Sequence, residues 1–157
     1  MTDARYEDGD EQPLRLIARA ADDLPVLAAL VQDAVLAAAD MTYARPRRRF
    51  ALFLNRFRWE DREAATSARR PYERVRALLV IEEVLAVKTQ GIQRDGDTVL
   101  SLLDISFADK GEGAGTLTLT FAGDGAIALE VEALGLSLRD VTRPYVAPSG
   151  KVPDHGM

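Results

Sequence analysis

The stretch RPRRRFALFLNRFRWE, residues 45 to 60, holds six arginines and four aromatic residues. Arginine's planar fork matches carboxylate and phosphate oxygens in a bidentate geometry that lysine does not offer. Arg47, Arg48 and Arg49 follow Pro46, and Arg56 and Arg58 come next at a spacing of two. These five are the candidate ligand-binding residues, suited to a small anion or an acidic partner. Proteins that hold single-stranded nucleic acid need exposed aromatic faces beside their cations. Read as a strand, this stretch turns Phe53, Phe57 and Trp59 away from Arg56 and Arg58, so arginines and aromatics are not expected to share a surface. The pattern fits a core-facing strand with a charged outside, ion-paired by acids such as Glu60, Asp61 and Glu63. Nucleic acid is therefore not the expected partner.

No catalytic residue is assigned. The chain has no cysteine and one histidine, His155, three positions from the end and outside any apolar segment. Disulfides, thiolate chemistry and histidine-based nucleophile activation all lack their parts. Zinc lacks its usual ligands, and the GDGA of residues 123–126 lacks the ligand series of a calcium loop, so no metal and no cofactor is expected. Glu82 and Glu83 are adjacent and point to opposite faces of a strand unless a bulge intervenes. Glu60 and Asp61 lie at a strand end. The glycines of GEGAG, residues 111–115, lead into a threonine-rich strand rather than a helix, which suits a hairpin turn and not a phosphate cradle.

The elements that position these residues make one domain. The 157 residues, 47% hydrophobic and 29% charged, suit a single soluble globular unit with no need of a metal or disulfide staple. Charge is unevenly spread. Residues 1–33 carry eight acids and three arginines, residues 43–76 eleven arginines and four acids, and residues 77–142 eleven acids and four bases. A chain so divided can attract an anion locally while its net charge of −5 repels nucleic acid at long range. The acidic start is not a signal peptide, no apolar run approaches the roughly 20 residues of a membrane span, and a cytoplasmic protein is expected.

Residues 1–12 read as a disordered acidic tail, 13–143 as the globular domain and 144–157 as a C-terminal tail. PLRLIA (13–18) alternates as a first strand. Asp22 or Asp23 caps a helix that carries Leu27, Leu30, Val31 and Ala34 on one stripe. Residues 34–44 split into two short strands around Asp40. RRFALFLNRFRW is a central strand, and EDREAATSARRP (60–71) an exposed loop. The apolar run 74–89 breaks at Glu82-Glu83. Asp95-Gly96 is the strongest hairpin signal, with further turns at GEGAG and GDG. Val131, Leu134, Leu138 and Val141 fall at helical spacing, which predicts a short C-terminal helix over 133–142. Phe50, Leu52, Leu54, Leu79, Ile81, Leu102, Ile105, Leu119 and Ile127 are expected to meet in one core.

The fold class is α+β: a mainly antiparallel curved sheet or split barrel of about seven strands, with an N-terminal and a C-terminal helix. A roll of the pleckstrin-homology kind fits that order of elements.

Five stretches, DLPVLAALVQDAV, RRFALFLNRFRWE, RVRALLVIEEVLAVKTQGI, GAIALEVEALGLSLRDV and VPDHG, together resemble the bacterial family known as domain of unknown function 2948. The resemblance runs from about Leu14 to His155 and implies a small bacterial protein. It brings no activity, cofactor or site residue. The leading functional expectation is a non-catalytic binding or interaction module with a protein partner or self-association. A small-ligand or anion-binding protein using the 45–58 arginines stands second. An enzyme with carboxylate and arginine chemistry stands third.

Overall fold

The computed structural model describes residues 13–68, 73–92 and 95–146. In chain order these form β1 (Arg15–Ala18), α1 (Leu24–Leu30), β2 (Ala34–Ala37), β3 (Met41–Ala44), β4 (Arg49–Phe57), α2 (Arg62–Ser67), β5 (Glu73–Ile81), β6 (Val84–Gln90), β7 (Val99–Gly111), β8 (Ala114–Phe121), β9 (Ala126–Val131), β10 (Leu136–Asp140) and β11 (Tyr145–Val146). Single 3-10 turns precede both helices and separate β2, β3 and β4.

All eleven strands join one sheet in the order β1-β10-β5-β4-β2-β7-β8-β9-β6, with β3 paired to β4 and β11 to β5. The described pairings are antiparallel. The longest pairings are β4 with β5 and the β7-β8-β9 meander. The meander's turns use left-handed residues: Glu112 and Gly113 in one, Gly123 and Asp124 in the other. Such positions favour Gly, Asp and Asn.

One face of the sheet carries the core. Along β4 the buried residues are Phe50, Leu52 and Leu54; along β5 they are Ala77, Leu79 and Ile81; along β8 and β9 they are Leu117, Leu119, Ile127 and Leu129. α1 lays Leu24, Leu27 and Ala28 against them, with Pro25 in its first turn. The nine residues expected to meet all belong to this cluster.

The expected curved sheet or split barrel is corrected on two counts. The strands number eleven, because segments of only two to five residues (β1, β2, β3, β10, β11) also pair. The pairing path is also open. β1 and β6 end it and do not pair with each other, so the sheet is not closed and the pleckstrin-homology-like roll is not its topology. The C-terminal helix is corrected too. Residues 136–140 are β10, in which Leu136, Leu138 and Asp140 are buried in strict alternation between β1 and β5. The helical spacing of Leu134, Leu138 and Val141 loses to this period of two, since a five-residue strand paired on both sides buries more than one amphipathic turn could.

Asp95-Gly96 makes a local turn, in which Thr98 N–H donates to Asp95 O at 3.0 Å. It does not join a hairpin, because β6 pairs with β9 while β7 pairs with β2 and β8. Residues 62–67, expected in a loop, form the short α2 and bury Ala65. Tyr145 and Val146, expected in a free tail, pair with Arg74 and Glu73 of β5. The tail expected at 1–12, the rest of the C-terminal tail and His155 lie outside the described residues.

Candidate functional site

β4 brings Arg56 to the core face by simple parity: Phe50, Leu52, Leu54 and Arg56 alternate inward. Its side chain is 0% exposed, so the guanidinium depends wholly on the partners the fold supplies. Asp140, the last inward residue of β10, provides one fork: Arg56 Nε donates to Oδ1 at 3.0 Å and Nη2 to Oδ2 at 2.9 Å. Glu60, in the 3-10 turn after β4, provides the second: Nη1 donates to Oε1 at 2.9 Å and Nη2 to Oε2 at 2.8 Å. The Phe57 carbonyl takes a further bond from Nη1 at 3.0 Å. β5 runs between β4 and β10, and Ala77 sits between Leu54 and Asp140 in register. That short side chain leaves room for the guanidinium to reach across.

Asp140 also ties down the first strand. Leu14 N–H donates to Asp140 Oδ2 at 2.9 Å, and Asp140 N–H donates to Leu14 O at 3.0 Å. One ionic cluster thus joins β1, β10, β4 and the turn before α2. Burial acts to push the Glu60 carboxyl up, but the hydrogen bonds and charge of Arg56 overcome it and hold the carboxyl below its ordinary range. Burial likewise opposes the Arg56 charge, and the bonds to Glu60 and Asp140 more than restore it.

Arg58 is also buried. Its Nη1 donates to Glu73 Oε1 at 2.6 Å and lies 3.6 Å from Asp61 Oδ2. Trp59 turns its indole N–H to the Gln32 carbonyl at 2.9 Å, fixing this turn against the end of α1. Phe57 is buried beneath the Arg74 guanidinium, 4.2 Å from its ring centre. The pairing of these arginines with Glu60 and Asp61 is as expected, but their solvent-facing position is corrected to a buried one. Strand alternation runs to Arg56; Phe57 is buried as well, and the 3-10 turn then covers both faces.

The other three candidates stand apart from this cluster. Arg49 pairs with Glu82 at 2.9 Å and Arg48 with Glu132 at 2.8 Å, both on the surface. Arg48 takes the left-handed conformation that turns the chain into β4. Arg47 is exposed in the turn before it. The structure does not gather the five into one site. Among the described residues, no three His, Cys, Asp or Glu side chains are grouped to hold a metal ion. No described helix is long and apolar enough to cross a membrane.

A different pair of arginines is brought together on the outer face. Arg15 of β1 and Arg139 of β10 are direct register partners. Both are exposed, and neither side chain has a described hydrogen bond or ion pair. Like charges so placed, with Cβ atoms about 4.5–5.5 Å apart, repel. They border a depression of about 320 Å³ of mixed lining, with the apolar Ile17, Leu78 and Val80 beside Ser137 and the paired Arg49 and Glu82. Apolar residues continue through Ala51 and Phe53, and the Arg76 guanidinium lies 5.9 Å from the Phe53 ring. The pairing of β1 with β10 joins the two ends of the chain, and nothing in either short segment signals it.

Fold and site together define an α+β protein of one open antiparallel sheet, with an ionic cluster sealed inside and a basic, apolar face outside. The chain belongs to the family described as Protein of unknown function (DUF2948), whose model matches residues 14–155. No curated protein and no solved structure matches it at a significant level.

Proposed function

We propose that this chain is a non-catalytic interaction module that receives a protein partner on the outer face of β1, β10, β5 and β4. The observation that carries this reading is the composition of that face. A water-facing side of an antiparallel sheet is ordinarily polar. Here Ile17 is 57% exposed, and across Ser137 and Arg139 of β10 the same face continues with the half-buried Ala51, Phe53, Leu78 and Val80. Apolar residues interspersed with arginines are the composition of a contact surface, where apolar burial supplies affinity and Arg is enriched. The buried Arg56 and Arg58 then belong to the scaffold that holds this face in shape.

A small-anion reading has one observation in its favour, the facing pair Arg15 and Arg139. It moves that alternative away from residues 45–58, where four of the five arginines already have carboxylate partners.

The test is affinity capture from the native cell with the full chain, compared with Arg15→Glu/Arg139→Glu and with Arg47→Glu. The expected result is loss of a defined partner from the double variant alone, with melting temperature unchanged. An identical set of captured proteins from all three chains would overturn the reading.

A further inference from the structure

The open edge of β1 lies directly beside the Arg15–Arg139 pair. Asp140 N–H bonds to Leu14 O, which fixes the phase of the β1–β10 ladder. In an antiparallel pair the bonded residues alternate. Leu14, Leu16 and Ala18 therefore turn their backbone groups to β10, and Arg15 and Ile17 turn theirs to the open side. No described strand pairs there. The side chains of these same two residues point to the outer face.

The two ends of the pairing path differ; β3 and β11, off it, also pair on one side only. β6 has a register break between Val84 and Ala86 and carries Lys88. Bulges and lysines are standard protections of an edge; β1 has instead only its four-residue length and the charge of Arg15. The pairing of β1 has no break, and Ile17 is one of the most exposed large apolar residues described.

Resting on the interaction-module reading above, we infer that β1 accepts an additional strand from a partner protein, and that this strand carries a carboxylate and an apolar side chain two residues apart. The carboxylate lies beside Arg15 and extends the row Arg15–Arg139, relieving the repulsion between the two guanidiniums. The apolar side chain covers Ile17. Backbone bonds to Arg15 and Ile17 supply affinity, and the alternate side chains supply selectivity. A second copy of this chain is a poor occupant, because the segment Arg15–Ala18 brings arginine and no acid.

The experiment uses the full chain and a blocked octapeptide that alternates glutamate and valine at every second position, with threonine between. Binding is followed by titration, and amide exchange is read at Arg15 and Ile17. The expected result is saturable binding that weakens with salt, together with slowed exchange at those two amides. Arg15→Glu and the milder Arg15→Gln should each weaken binding by about tenfold or more, as loss of a charge-assisted bond implies. Arg47→Glu should not weaken it. Replacing glutamate by lysine in the peptide should abolish binding.

Binding that needs Arg15 but leaves the two amides unprotected would overturn strand addition while leaving the face as a contact surface. Absence of binding at millimolar peptide would overturn the motif; the separate capture experiment then decides the fate of the face. Protection of both amides in the full chain before peptide is added would show the edge already filled by this chain's own residues 1–12 or by a second copy. Dilution separates those two, and either overturns the proposal.

Discussion

Asp140 ties the end of β10 both to β4 and to the chain that leads into β1. It accepts two bonds from a fully buried guanidinium and a third from the Leu14 amide. Removing one member of a buried ion pair costs about 3–5 kcal/mol where the other is left uncompensated. Arg56 keeps Glu60, so Asp140→Ala should cost about 3 kcal/mol, the low end of that range, in a denaturant titration. Glu60 adds a pH dependence of known sign. Its carboxyl is held below the ordinary range, so its contribution is complete above the unfolded carboxylate pKa of about 4.3 and is lost as pH falls through the lower folded value. Glu60→Gln should be less stable at neutral pH and should lose less further stability on acidification. An acid limb equal to that of the unaltered chain would contradict this. From sequence Arg56 is expected on the charged outside, yet strand parity places it with Phe50, Leu52 and Leu54. The aromatic run Phe57–Trp59 obscured that by suggesting that the core lay on the other face. Asp140 was not legible, since its partner lies far along the chain and only the β10–β5–β4 pairing brings the two together.

At the scale of elements, most strands were legible because they alternate, and the turns at Gly113 and Gly123 because they need left-handed residues. The β7–β8 hairpin shows how tightly such elements fit. A Cβ on Gly115 would meet the Ala108 carbonyl and the Phe107 ring closer than atoms approach. Gly115→Ala should cost about 1–3 kcal/mol, the usual penalty of overpacking, measurable as a lowered denaturation midpoint. The entry to β4 is held differently, by surface pairs. Arg48→Glu/Arg49→Glu would set new acids beside Glu132 and Glu82. The loss should stay under about 1 kcal/mol per pair and shrink as salt rises. A loss that salt does not change would show that packing, not charge, is at stake. What sequence could not supply was the destination of β10 and of the chain between β6 and β7. Helical spacing at Leu134, Leu138 and Val141 and the turn at Asp95-Gly96 are genuine local signals. Strand pairings made across the length of the chain decide the outcome instead.

For the whole molecule, the arginine-rich middle of the chain divides into two roles. Arg56 and Arg58 are consumed inside, where Arg56 joins the end of β4 to the remote β10 and Arg58 joins it to the start of β5. The face outside is left to Arg15, Arg76 and Arg139 among half-buried apolar residues, beside the unpaired edge of β1. On the proposed function, contact with a partner falls there and not on the rest of the surface. The most direct measurement places a photo-crosslinking amino acid at Ile17 and, in a second chain, at Leu85 of the opposite edge, which is 50% exposed. Both chains are irradiated in the native cell. The expected result is a discrete protein adduct from position 17 that disappears when Arg139→Glu is added, and no such adduct from position 85. An adduct from position 85 alone, or one from position 17 that persists with Arg139→Glu, would contradict it.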